Sequence, residues 1–258
     1  MFHKIVSFLC FISKSKNEHG VHSPFVFNLI TTCFYKKKNE KKLNTFLNYK
    51  KDLSKNISLL EISNFGIISN VLLSNRRKRL KMIKGKGFSN KRAMLLINLM
   101  QYFKPENILE IGTSLGLSTS ALASSNKNSK ITTLEGCIET VRIAKAMFEK
   151  YHFNHVKLLT GNFNSILPKI FKNTIYDFIY FDGNHTRKTT LEYFEASLTS
   201  INNNSVFLFV DIHWNKEMEL VWEDIKNHPQ VTVTIDTYKW GFVFFRKEQE
   251  KEHFSIRI

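Results

Sequence analysis

The chain has 258 residues, 43% of them hydrophobic, enough to bury one large core and carry a smaller appended region. Its formal charge is +16, but from Lys36 to Arg92 there are 17 Lys and Arg against 3 Asp and Glu, so a net +14 sits in that stretch and the rest is close to balanced. Cys10, Cys33 and Cys137 show neither C-x-x-C spacing nor an even count, which argues against a disulfide framework and for a reducing, cytoplasmic compartment.

Residues 5–12 are apolar, yet far short of the roughly 20 needed to cross a bilayer. No small-residue cleavage pattern follows them before Lys14-Ser15-Lys16, so neither a transmembrane segment nor a secretory leader is expected. Residues 1–88 read as a basic helical extension without strand alternation. Within it, His19-Gly20-Val21-His22-Ser23-Pro24-Phe25 marks a helix start, with Ser23 as cap and Pro24 in the first turn. The run Asn75-Arg76-Arg77-Lys78-Arg79 lacks the interleaved aromatics that stack on bases, which makes it a solvated surface sooner than a nucleic-acid grip.

Ser89 can cap the next helix, in which Ala93, Leu96, Ile97, Met100 and Phe103 recur at helical spacing until Lys104-Pro105 stops it. Seven strands follow, at 108–112, 130–135, 156–160, 176–182, 206–211, 231–236 and 241–246. Helices fill the first five gaps, at 117–125, 138–152, 164–171, 188–200 and 215–227. Such alternation predicts an α/β fold whose parallel sheet is covered on both faces. Only four residues separate the last two strands, too few for a crossover, so these form an antiparallel hairpin. The expected domain division is 1–88 for the extension or lid and 89–258 for the catalytic domain.

The first strand runs into Glu110-Ile111-Gly112-Thr113-Ser114-Leu115-Gly116-Leu117-Ser118-Thr119. Gly112 allows close backbone approach to a ligand and Gly116 a tight helix start, while serine at 114 departs from the G-x-G-x-x-G loop that cradles a dinucleotide pyrophosphate. Glu135 and Gly136 end the second strand, with Glu135 placed 23 positions after Gly112, where a carboxylate accepts hydrogen bonds from ribose hydroxyls. The third strand ends in Asn162-Phe163, the fourth in Asp182-Gly183-Asn184-His185 and the fifth in Asp211-Ile212-His213-Trp214.

This loop resembles the E-x-G-T-x-x-G-x-S-T loop of small-molecule O-methyltransferases of the catechol and caffeoyl-CoA type, and the D-G-x-H ending resembles a broader group of bacterial methyltransferases. The resemblance implies a Rossmann-like class I methyltransferase fold, a seven-stranded mixed sheet with strand seven antiparallel, and S-adenosyl-L-methionine as cofactor. It implies that Glu110, Gly112, Thr113, Ser114, Gly116, Ser118, Glu135, Gly136, Asn162, Phe163 and Asp182 surround that cofactor, Asn162 at the adenine edge and Phe163 at its face or in the core. It also implies that Asp182 and Asp211 hold a divalent metal, Mg2+, against the acceptor oxygens. Isoleucine 212 stands where the family has asparagine, so one oxygen ligand is missing. Catalysis would then fall to Asp182, His185, Asp211 and His213, with the histidines as bases or ligands. Trp214 and Trp240 are candidates for the acceptor pocket or for the core.

The acceptor expected on this reading is a small molecule, and the extension a lid or homodimer contact. An RNA methyltransferase gripping phosphates through the basic extension is the alternative enzyme. A non-catalytic module that binds the cofactor or a partner is the third reading.

Overall fold

The structure, a computed structural model, describes residues 2–36, 40–63, 88–183 and 186–258. The basic run at Asn75–Arg79, and His185 with it, lie outside the described residues. Among the described residues no helix is long and apolar enough to cross a membrane.

Among the described residues, three α-helices precede the helix that leads into the sheet. They are α1 (Phe2–Lys14), α2 (Pro24–Leu29), which continues as a π-helical turn to Phe34, and α3 (Glu40–Ser63). Ser23 caps α2 as its sequence predicts, its hydroxyl accepting from the Val26 amide, and Pro24 takes the first turn. Ser89 does the same for α4 (Asn90–Phe103), whose chain leaves through Lys104 in the left-handed region just ahead of Pro105.

From there β1 (Asn107–Ile111), α5 (Leu117–Ser125), β2 (Lys130–Glu135), α6 (Ile138–Lys150), β3 (Val156–Thr160), α7 (Phe163–Phe171), β4 (Phe178–Phe181), α8 (Arg187–Ser197), β5 (Val206–Val210) and α9 (Lys216–Asn227) alternate. The chain closes with β6 (Val233–Asp236), β7 (Trp240–Phe244) and β8 (Glu252–Ser255). The sheet order is β3-β2-β1-β4-β5-β7-β6-β8. Strands β1 to β5 are parallel, and β7 runs antiparallel between β5 and β6, as the short hairpin connection requires.

The sequence predicts seven strands and the sheet has eight. Strand β8 pairs parallel to β6 at the edge, where Glu252 and His253 can face water, so its pattern carries none of the apolar continuity of the inner strands. Lys16 adds a bridge beyond it: its amide donates to Ser255 O at 2.8 Å, and the Arg257 amide donates to Lys16 O at 3.1 Å.

Alternation along each inner strand divides the core in two. On one face Ile108, Phe178, Tyr180, Leu208, Phe242 and Phe244 meet α4, α5 and, from the extension, Leu29, Ile30, Phe46 and Tyr49. On the other, Leu109, Ile179, Phe181, Phe207 and Phe209 meet Leu167, Phe194, Val221 and Trp222 of α7, α8 and α9. The extension therefore supplies part of the hydrophobic layer on the first face.

One acid is built into that layer. Glu110 of β1 is fully buried and accepts hydrogen bonds from Thr119 Oγ1 of α5 at 2.5 Å and Thr133 Oγ1 of β2 at 2.6 Å. Burial pushes its carboxyl from 4.5 up to about 7. Because the folded-state value is raised, the contribution to stability is complete below the unfolded value and fades as pH climbs through about 7. Glu110→Gln removes this titration, so its stability relative to the parent should rise by about 3 kcal/mol as pH goes from acid to mildly alkaline. Chemical denaturation across that pH range measures it, and a difference independent of pH overturns the assignment.

Candidate active site

The strand order reverses direction between β1 and β4, and there the carboxyl ends of the two strands diverge into a crevice. Gly112 leaves β1 at φ +105°, and a Cβ on it would lie 2.2 Å from the Asp182 carbonyl oxygen. Only glycine fits. The loop then turns through Ser114 at φ +49° and Gly116 at φ +76°, so serine carries the left-handed conformation in which a glycine would be unstrained. A Cβ on Gly116 would strike the Tyr49 hydroxyl at 2.4 Å and Phe148 at 2.6 Å. That hydroxyl donates to Leu115 O at 2.9 Å, so α3 of the extension braces the loop from behind.

Glu135 fixes the loop from the other side. One carboxylate oxygen accepts from the Ser114 amide at 2.8 Å and the other from the Cys137 amide at 2.9 Å. Thr113 is buried against Thr133, hydroxyl to hydroxyl at 2.6 Å. Gly136 is exposed, and exposed Asn162 caps α7 by accepting from the Asn164 amide at 2.9 Å. Phe163 lies half-buried against Tyr193, and a Cβ on Gly183 would meet its ring at 3.7 Å. Glu110 lies in the core behind the loop, as described above, and not on the crevice wall.

Beside the loop opens a cavity of about 350 Å3, lined by Phe88, Arg92, Thr113, Ser114, Leu115, Leu117, Ser118, Asp182, Gly183, Val210 and Asp211. Two carboxylates and one guanidinium thus share a mostly apolar chamber. Burial, with Asp211 and Glu110 close by, pushes the Asp182 carboxyl up to about 8, while Arg92 pulls it down. Asp211 sits at φ +55°, its amide donating to Lys239 O at 2.7 Å, and its Oδ1 lies 3.4 Å from an Arg92 guanidinium nitrogen.

Among the charged residues lining the cavity, Arg92 is the one the sequence reading did not single out. The available signal was its place in the first turn of α4, where the helix dipole disfavours a cation unless a carboxylate faces it. Asp211 provides that carboxylate.

The same φ at Asp211 redirects the chain, and His213 does not reach the cavity. Its Nε2 lies 2.8 Å from Asp236 and its Nδ1 lies 3.0 Å from Glu219 and 3.2 Å from the Ser7 hydroxyl of α1. Burial opposes its charged form, but Asp236 and Glu219 outweigh this and raise its pKa. Here His213 is a clasp between α1, α9 and β6, and the structure does not bring it together with Asp182 and Asp211. The tryptophans are also displaced: Trp240 is buried in the core against Phe88 and Tyr180, and Trp214 is half-exposed beneath Lys4.

The donor set does not fit the divalent cation that the family resemblance implies. Among the described residues no group of three His, Cys, Asp or Glu side chains is placed to hold a metal ion. Ile212, where a third oxygen was wanted, is 1% exposed in the core, and a guanidinium already faces Asp211. The glycine cradle and Glu135, by contrast, fit an adenosyl cofactor, because backbone approach and a carboxylate at the end of β2 are what such a ligand uses.

The comparisons agree with this architecture. A family model described as a methyltransferase domain matches residues 109–212. A putative caffeoyl-CoA O-methyltransferase from Staphylococcus aureus superposes with a TM-score of 0.57 at 19% identity, over 75% of this chain and 99% of that one. An O-methyltransferase from Bacillus cereus in complex with SAH gives 0.55 at 18%, over 85% and 97%. A Podospora anserina methyltransferase with SAH bound gives 0.58 at 17%, over 76% and 96%. A search of curated protein sequences finds no match. Residues 109–212 are thus similar to a methyltransferase domain, and the sheet that holds them has the class I methyltransferase fold.

Proposed function

We propose that the protein uses S-adenosyl-L-methionine to methylate an oxygen of a small hydroxylated acceptor, and does so without a metal. The observation that carries this reading is the pairing of Asp182 with Asp211 and Arg92 in one cavity, directly beside the Gly112 loop. The neighbours with SAH bound support the choice of cofactor. When bound, S-adenosylmethionine supplies an electrophilic methyl group for in-line displacement.

The residues of this chain do the rest. The backbone from Gly112 to Gly116 meets the cofactor, Glu135 orients its ribose, and Phe163 with Gly183 walls the adenine side. Phe88, Leu115, Leu117 and Val210 keep water from the acceptor end. Asp182, its carboxyl raised to about 8, takes the acceptor hydroxyl proton in its ionised form, a minority near neutral pH, so turnover should climb as pH rises toward 8. Arg92 lowers the pKa of that hydroxyl by its charge, the office a cation would otherwise hold, and Asp211 keeps the guanidinium aimed. The free thiols of Cys10, Cys33 and Cys137 fit a cytoplasmic site of action.

Calorimetry should give saturable heat with S-adenosylmethionine and none with NAD, and Gly112→Ala should abolish it. Tighter binding of NAD would sink the cofactor assignment. With an acceptor found from a panel of hydroxylated compounds, Asp182→Asn should lower kcat by about 10²–10⁴ while cofactor binding is retained. Activity should survive chelation by EDTA. If chelation abolishes turnover and magnesium restores it, Arg92 does not do the work given to it here.

A further inference from the structure

Helix α1 turns its apolar side outward. It is held to the body through Ser7 and Phe11, both buried, and by the Tyr238 hydroxyl, which donates to Lys4 O at 2.9 Å. Around the rest of the helix, Ile5 is 54% exposed, Leu9 61% and Ile12 37%, and Phe8, which keeps one edge against Tyr238, is 45% exposed. Positions 5, 8, 9 and 12 recur at helical spacing, so they form one stripe, and that stripe is on the side a soluble helix normally gives to polar residues.

The charges beside the stripe identify what it meets. From Phe2 to Lys16 the chain holds Lys4, Lys14 and Lys16 and no carboxylate. All three lysines are exposed, and the Lys4 ammonium sits 3.3 Å from the ring centroid of half-exposed Trp214. An apolar stripe with lysines at the two ends of the helix and a tryptophan beside it suits the boundary between headgroups and acyl chains of an anionic bilayer. The helix, at 13 residues, is too short to span it. A second copy suits the stripe less well, because pairing two such helices brings lysines toward lysines on two chains of net charge +16.

We infer that α1 is an interfacial helix, which docks the enzyme on the surface of an anionic lipid bilayer with Ile5, Phe8, Leu9 and Ile12 among the acyl chains. The docked surface lies one loop from the cavity: Asp211 lines the chamber, and His213 and Trp214, next along the chain, lie under α1. The attachment is rigid on that side, because His213 bonds Ser7 of α1, Glu219 of α9 and Asp236 of β6 together.

The test is co-sedimentation of the full chain with vesicles of pure phosphatidylcholine or of phosphatidylcholine mixed with phosphatidylglycerol. The parent protein should partition onto the mixed vesicles only, and less so as salt rises. Leu9→Asp, at a position that packs against nothing in the core, should abolish partition while leaving the melting curve unchanged. Replacing Lys4, Lys14 and Lys16 by Gln should weaken it about fivefold per lysine. Four results overturn the inference: no partition of the parent protein, equal binding to both vesicle types, binding unaffected by Leu9→Asp, or a dimer in light scattering that Leu9→Asp dissolves. The last would assign the stripe to a second copy of the chain.

Discussion

Where β1 and β4 lie side by side, the amide of Asp182 donates to Ile111 O at 2.9 Å, and the next residue of β1 has no room for a side chain. Everything at the crevice follows from that contact. With glycine at 112 the two strand ends stay in register and then part, one toward α5 and the other toward α8. A larger residue would push the end of β4 outward and take the Asp182 carboxyl with it. The ligand surface here is therefore backbone, and side chains reach it only from the flanks. Glu135 comes from β2, Arg92 from α4, and Asp211 from β5.

Electrostatics sets the second constraint. Glu110, Asp182 and Asp211 crowd one end of the sheet, and Arg92 is the cation lining the cavity among them. Two of the carboxyls respond by holding protons more firmly than a solvated acid would, Glu110 because it is buried and Asp182 because it also faces Asp211. A chamber so arranged tolerates a neutral hydroxyl well and resists an anionic acceptor unless Arg92 receives it.

Most of the sheet was legible because β4, β5 and β7 at its centre are near-continuous apolar runs. Val206–Val210 has no other sensible reading, and the four residues between Asp236 and Gly241 leave no choice but a hairpin. What escaped notice shares a cause. Strand β8 depends on an edge position, Arg92 on a partner over a hundred residues away, and His213 on the left-handed turn at Asp211 that swings it to the far side. Each is decided by tertiary packing, and of the three only Arg92, a cation in the first turn of its helix, leaves a local hint. Tyr49 belongs with them, since nothing nearby in sequence announces that its hydroxyl will brace Leu115.

The stitching of Lys16 to β8, and of Lys4 to Tyr238 across 234 residues, bears on the order in which the molecule can assemble. The first helix leaves the ribosome before any of its partners exist, for the hairpin of β6 and β7 and the edge strand β8 are made last. Until then its stripe and its future inner face are both uncovered. Long-range closures of this kind slow folding and lengthen the interval in which an apolar segment is open to capture. The first element of the chain is among the last to find its place.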